Sequence, residues 1–125
     1  VKVGILGAGQ LGRMLAAAAH NLGLEPHLYD PDPSACGHRA GQAWPFSYAD
    51  QENLERFAGS VELCTFEFEN VPLDAVQIIS RLTHLSPGMA ALAVSQDRLH
   101  EKNFLRTLGI DTPDFRPYEP GEELP

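Results

Sequence analysis

The sequence is poor in cysteine, in positive charge and in long apolar runs, and each shortage removes a class of function. Cys36 and Cys64 are the only cysteines and lie far apart, so neither a disulfide framework nor a Cys-x-x-Cys pair can be drawn. Lysine and arginine number 9 against 17 aspartates and glutamates, a formal net charge of −8. No general positive field exists to attract a nucleic-acid backbone or an acidic lipid surface, and neither is expected as a partner. No run has the length and apolarity of a membrane span, and no stretch has the pattern of a secretory leader. A reducing, cytoplasmic setting is the expectation. The histidines (His20, His27, His38, His84 and His100) form no HExxH, and Cys36-x-His38 alone is a weak metal signal. No metal site built from this chain alone is expected, and no serine, cysteine and histidine fall into a nucleophilic triad.

With 125 residues, 43% of them apolar, the chain can bury one core and has no room for two ordinary domains. It opens on Val1 and closes on a polar, proline-containing tail from Glu119 to Pro125. The expectation is a piece of a longer protein, with residues 1–112 as a domain and 113–125 as a linker.

Strands and helices alternate along the sequence. Val1 to Leu6 reads as a buried strand, and Leu11, Met14, Leu15, Ala18, Ala19 and Leu22 recur at the spacing of one helical face, stopped by Gly23. Glu25 to Tyr29 reads as a second strand, closed by Asp30-Pro31-Asp32-Pro33. Ala43 to Phe46 is a short third strand anchored by Trp44, Asp50 to Ala58 a helix, and Val61 to Phe66 a further strand. Asn70-Val71-Pro72 opens a helix through Leu82, and Thr83 to Leu85 is a fifth short strand. Pro87 to Val94 and Gln96 to Leu108 are helical, with Gly109 as terminator. The class predicted is α/β: a Rossmann-like parallel sheet of about four to five strands with helices on both faces, its ligand at the carboxyl ends of the strands.

Gly7-Ala8-Gly9-Gln10-Leu11-Gly12 spells GxGxxG directly after the first strand. Such a turn brings backbone N–H groups to an anionic ligand and seats the next helix tightly; the bland alternative is a tight turn with no ligand. Gln10 and Leu11 stand at the helix N-terminus, where free N–H groups favour an anion. Arg13 lies off the apolar stripe and is either solvated or near a phosphate. Asp30 falls where a ribose-binding acid would, although Asp before Pro is also an ordinary turn former.

The least generic stretch is Thr65-Phe66-Glu67-Phe68-Glu69-Asn70-Val71-Pro72. In extended geometry Phe66 and Phe68 share one face and Glu67 and Glu69 the other. Two carboxylates then end a buried strand, either merely exposed or accepting hydrogen bonds from a substrate's hydroxyl or amino groups, with Glu67 favoured for the second role. Arg98, Lys102 and Arg106 form a basic stripe on one helical face, and by spacing alone such a stripe is usually solvated.

Gly7-Ala8-Gly9-Gln10-Leu11-Gly12-Arg13-Met14, the double-phenylalanine acidic motif and Gln96-Asp97-Arg98-Leu99, followed by Lys102 and Phe104, together resemble the N-terminal part of the 5-(carboxyamino)imidazole ribonucleotide synthases. These form the ATPase subunit of phosphoribosylaminoimidazole carboxylase, in the ATP-grasp superfamily. The resemblance runs in the family's order from Val1 to about Phe115. It implies a pre-ATP-grasp domain of an ATP-dependent ligase of de novo purine synthesis. That enzyme joins bicarbonate to 5-aminoimidazole ribonucleotide through carboxyphosphate and releases ADP and phosphate. ATP and magnesium are implied as cofactors, held mainly by a downstream ATP-grasp region, so that residues 1–125 alone would be inactive; the full-length protein would be a homodimer.

Carried over position by position, Gly9, Gln10 and Leu11 resemble the turn receiving the ribonucleotide's phosphate end or ring. Glu67, and more weakly Asn70, resemble a second substrate contact. Arg98 is similar to the family's ATP-contacting residue from this side of the cleft. The resemblance assigns nothing to Asp30-Pro31-Asp32-Pro33 or to residues 35–43. Two other readings stay open: the NAD-binding domain of an oxidoreductase, resting on GxGxxG plus Asp30, and a nonenzymatic ligand-sensing domain.

Overall fold

The computed structural model describes residues 1–118 and Gly121. Strands β1 (Lys2–Leu6), β2 (Glu25–Tyr29), β3 (Gln42–Trp44), β4 (Leu63–Phe66) and β5 (His84–Leu85) form one parallel sheet in the order β3-β2-β1-β4-β5. Helices α1 (Gln10–Asn21), α2 (Gln51–Gly59), α3 (Leu73–Leu82), α4 (Met89–Ser95) and α5 (Arg98–Thr107) connect or follow the strands, with a 3-10 turn over Cys36–Ala40. The chain builds outward from β1 to β3, then crosses back to place β4 on β1's other side. This topology puts a crevice at the carboxyl ends of β1 and β4.

Each face of the sheet has its own core. Leu6, Tyr29, Leu54, Phe57, Val76 and Ile79 pack on the side covered by α2 and α3, whereas Ile5, Ala8, Ala16 and Leu28 pack under α1. Alternation along β1 sends Ile5 to one side and Leu6 to the other, which is why the strand is apolar from Val3 to Leu6 without a break. Phe57 is fully buried and meets Tyr29 and Trp44 edge-on at centroid distances of 5.2 and 5.7 Å; burying such a ring stabilises by about 1.5–3 kcal/mol.

The α/β reading and its helices on both faces hold, with local corrections. The strand expected over Ala43–Phe46 spans Gln42–Trp44, β4 begins at Leu63 rather than Val61, and α3 begins at Leu73 behind Pro72. The 3-10 turn was not foreseen, because residues 35–43 carry no periodic pattern.

The larger correction concerns α1. Its stripe of Leu11, Met14, Leu15, Ala18 and Leu22 lies open to solvent, with Leu11 56% and Met14 61% exposed, while Gly12, Ala16 and Ala19 are buried. A Cβ on Gly12 would stand 2.3 Å from the Gly7 carbonyl oxygen. The helix therefore lies too close to the loop for anything but small residues beneath it, and hydrophobic size pointed to the wrong face.

No regular element follows α5 through residue 118; Phe115 turns back under Lys102 and Arg106, 5.1 and 4.4 Å from their charged groups. Of the expected linker, residues 119, 120 and 122–125 lie outside the described residues. Among the described residues no helix is long and apolar enough to cross a membrane.

Candidate functional site

Tyr29, Leu6 and Phe66 are partners in register across β2, β1 and β4. The residues that follow them, Asp30, Gly7 and Glu67, therefore emerge abreast at the sheet's carboxyl edge. The glycine fingerprint fills the middle of this row. Gly7 has φ +101°, its N–H donates to the Tyr29 carbonyl at 2.8 Å, and a Cβ there would lie 2.8 Å from the Phe68 ring and 3.1 Å from a Glu67 carboxylate oxygen. The fold itself thus demands glycine at positions 7 and 12. Gly9 differs: its φ of −69° is accessible to any residue, and a Cβ would meet nothing within 4 Å. The space over Gly9 is open, and α1 starts behind it with no side-chain cap, leaving first-turn N–H groups for an anion.

The two flanking acids have different employment. Asp30 accepts the Ala8 N–H at 2.7 Å on one oxygen and the Asp32 N–H at 2.9 Å on the other. It is a clamp on the glycine loop, each oxygen holding a backbone donor, a structural role that accounts for an acid at this place without a ribose. Glu67 makes no side-chain hydrogen bond among the described residues. Its pKa is raised, first by burial and then by the negative charge of Asp30, which marks a carboxylate partly stripped of water and held near a second acid.

Glu67 and Glu69 do not share a face as expected. β4 stops at Phe66 and residues 67–70 bend into a turn, so the period-two alternation ends one residue before the acids begin. Phe66 and Phe68 both pack on the α2–α3 side core, while Glu69 and Asn70 are exposed. The turn is held from outside by Gln96, whose amide donates to the carbonyls of Glu69 and Val71, each at 2.8 Å.

Gln96 also sets where Arg98 begins. Asp97 caps α5 by accepting the His100 N–H at 2.7 Å, and Arg98 follows as the first helical residue, paired with Glu101 and close enough to Glu69 to feel its charge. Its side chain is 76% exposed. Lys102 and Arg106, the rest of the stripe, lie over Phe115. The structure thus brings Gly7, Asp30 and Glu67 together in one row and ties Arg98 to the same end of β4 through Gln96. Among the described residues, no group of three or more His, Cys, Asp or Glu is placed to hold a metal ion.

Two contributors escaped the sequence reading. Tyr48 donates to the Tyr29 carbonyl at 3.2 Å, and burial, then the charge of Asp30, raise its pKa; it forms the wall behind the Asp30 clamp. The alternation Trp44, Phe46, Tyr48 beyond β3 was the available signal. Gln96 stood inside a quoted motif, but nothing local shows that its amide reaches a turn 25 residues away.

Comparison with known proteins agrees with this geometry. Residues 1–96 match the family model for the ribonucleotide synthetase preATP-grasp domain. The chain is 44% identical over 115 residues to the N5-carboxyaminoimidazole ribonucleotide synthase of Pseudomonas aeruginosa, covering 92% of this chain and 32% of that protein. It superposes on the N5-carboxyaminoimidazole ribonucleotide synthetase of Thermus thermophilus with a TM-score of 0.85 at 47% identity, over 89% of this chain and 31% of that one. The Staphylococcus aureus N5-carboxyaminoimidazole synthetase, solved in complex with ADP, superposes with a TM-score of 0.80 at 28% identity, over 86% and 29% of the two chains. The chain thus spans about a third of the length of the relatives it matches. With its glycine loop, acid-tipped β4 and strand order all explained by one domain type, the chain belongs to the ribonucleotide synthetase preATP-grasp domain family.

Proposed function

We propose that this chain is the substrate-binding N-terminal part of an ATP-dependent ligase that carboxylates 5-aminoimidazole ribonucleotide with bicarbonate, yielding 5-(carboxyamino)imidazole ribonucleotide, ADP and phosphate. The observation that carries the reading is the Glu67 carboxylate lying against Gly7 with no hydrogen-bond partner among the described residues, beside the open space over Gly9. Gly9, Gln10 and Leu11 present backbone N–H groups to the ribonucleotide's phosphate end or ring. Glu67 accepts a hydrogen bond from its amine or a ribose hydroxyl, with Asn70 at the edge of the turn. Because Glu67 is already partly desolvated and fixed beside the clamped loop, little ordering cost is left for binding.

Arg98 is the residue offered toward ATP: a guanidinium pairs with phosphate oxygens or stacks on adenine. One exposed arginine does not build a triphosphate site, and the described residues offer magnesium no ligand cluster. ATP supplies the phosphoryl group that activates bicarbonate, and in this reading the remainder of a longer protein holds it and magnesium. Residues 1–112 are then the preATP-grasp domain and 113–125 the link onward, inactive when alone. The open apolar side chains of α1, among them Leu11, Met14 and Leu22, suit a surface covered in a larger, homodimeric, cytoplasmic protein.

The test is phosphate release by full-length protein supplied with ATP, bicarbonate and 5-aminoimidazole ribonucleotide. Glu67→Ala is expected to raise the KM for the ribonucleotide about tenfold, the loss of one hydrogen bond to a charged group. Arg98→Ala is expected to raise the KM for ATP while leaving that for the ribonucleotide unchanged. Unaltered constants in either variant reject that residue's role, and absence of ribonucleotide-dependent phosphate release rejects the reading.

A further inference from the structure

A cavity opens beside α1, on the β2 side of the glycine loop, with a volume of about 360 Å³ and a lining of Arg13, Ser34, Cys36, Arg39 and Ala40. Neither Glu67 nor Gly9, Gln10 or Leu11 lines it. Arg13 comes from the first turns of α1 and Arg39 from the 3-10 turn. Among the described residues, neither guanidinium donates a hydrogen bond or lies within 4.0 Å of a carboxylate. In a chain with 17 acids and 9 lysines and arginines, these two cations line one cavity together. The nearest acid in sequence to Arg39, Asp32, turns one carboxylate oxygen to Ser34, accepting its N–H and hydroxyl at 2.8 and 2.7 Å.

The backbone segments that carry the two arginines are tied together. The Gly37 N–H donates to the Ala8 carbonyl at 2.7 Å, and a Cβ on Gly37 would stand 2.6 Å from that oxygen. At the other end of the turn, His20 of α1 bonds the Ala40 carbonyl at 2.9 Å. Both ends of the 3-10 turn are therefore tied, one to the glycine loop and one to α1, which fixes the backbone from which Arg13 and Arg39 extend. Two guanidiniums lining one cavity can offer two donor forks to the oxygens of a dianion.

We propose that Arg13 and Arg39 form an anion site for a phosphate group, taken either from inorganic phosphate or from a phosphate monoester. This goes beyond the ribonucleotide reading and does not rest on it. The cavity carries its own reporter: Cys36 is exposed on its wall, whereas Cys64 is buried.

The experiment follows alkylation of Cys36 by iodoacetamide in the 125-residue chain with increasing inorganic phosphate, 5-aminoimidazole ribonucleotide or the corresponding phosphate-free riboside. Inorganic phosphate is expected to slow alkylation saturably, and Arg13→Gln or Arg39→Gln to weaken this protection about tenfold each, the loss of one charge-assisted contact. Both arginines are exposed, and an unchanged thermal transition shows that the variants fold. Arg81→Gln, on α3, is expected to leave protection intact. Protection by ribonucleotide at concentrations well below those needed for inorganic phosphate, with none from the riboside, assigns the site to an ester's phosphate; equal protection by the two assigns it to free phosphate. No protection by either phosphate species, or protection that survives loss of both arginines, overturns the proposal. Because the inorganic phosphate arm needs no ribonucleotide, failure of the ligase reading leaves this result standing.

Discussion

The tips of β2 and β4 end alike and do opposite work. Each places an acid beside the glycine loop, Asp30 on one side and Glu67 on the other, one residue past strand positions in register with Leu6. Asp30 turns both oxygens to backbone N–H groups; Glu67 spends none among the described residues and sits with a raised pKa. The same residue class at the same height in the sheet is architecture on one flank and an open acceptor on the other. What separates them is whether the following backbone turns inward to offer its donors, as it does at Asp32, or away, as it does after Phe68.

The contrast can be broken most forcefully at Asp30. Asp30→Ala orphans the Ala8 and Asp32 N–H groups and is expected to cost about 3 kcal/mol in urea unfolding, the sum of two modest charge-assisted bonds. A loss below that of a typical surface substitution, about 0.5 kcal/mol, contradicts the clamp. Next comes the loop itself. Gly12→Ala forces a Cβ against the Gly7 carbonyl oxygen and is expected to cost about 1–3 kcal/mol. Gly9→Ala, with free space and a permitted φ, is expected to leave the fold as stable or up to about 1 kcal/mol more so, while weakening ribonucleotide binding. Equal destabilisation by the two substitutions removes the distinction between a structural and a ligand-facing glycine.

Glu67 gives the smallest effects on stability. Glu67→Ala should unfold within about 0.5 kcal/mol of the parent chain, in contrast to Asp30→Ala. Its raised pKa means that the folded state holds this proton more tightly than the unfolded one. Stability from this group is therefore present below the ordinary glutamate pKa and is lost as pH climbs through the raised value. Glu67→Gln is expected to be slightly more stable than the parent at neutral pH, with the difference vanishing in acid. A difference that grows in acid reverses the sign and with it the account of a desolvated carboxylate.

Periodicity and punctuation made the sheet legible. Mostly apolar runs at β1 and β4, and Gly23 and Gly109 at positive φ where helices stop, are local signals that need no partner to be read. The glycine loop was legible for the same reason, since its turn chemistry is written in six consecutive residues. The buried face of α1 was not. Local hydrophobicity favours Leu11, Met14 and Leu22, but how closely a helix approaches a sheet is a tertiary distance, and Gly12 on Gly7 makes it short enough that only alanine and glycine fit beneath. The acidic motif was half legible: two phenylalanines and two glutamates in alternation suggested two paired faces, and a strand ending at Phe66 kept only Glu67 at the loop.

The sequence by itself determined the order of elements, the parallel sheet, the glycine turn after β1 and the acid beside it, because each depends on interactions among neighbours in the chain. Only the tertiary structure decided which acid is spent and which is open, which side of α1 is buried, and that Tyr48, Gln96 and Gly37 brace the site from far along the chain. Those outcomes depend on distances between segments joined only by folding, where a carbonyl, an amide or a missing methyl group counts for more than hydrophobic pattern.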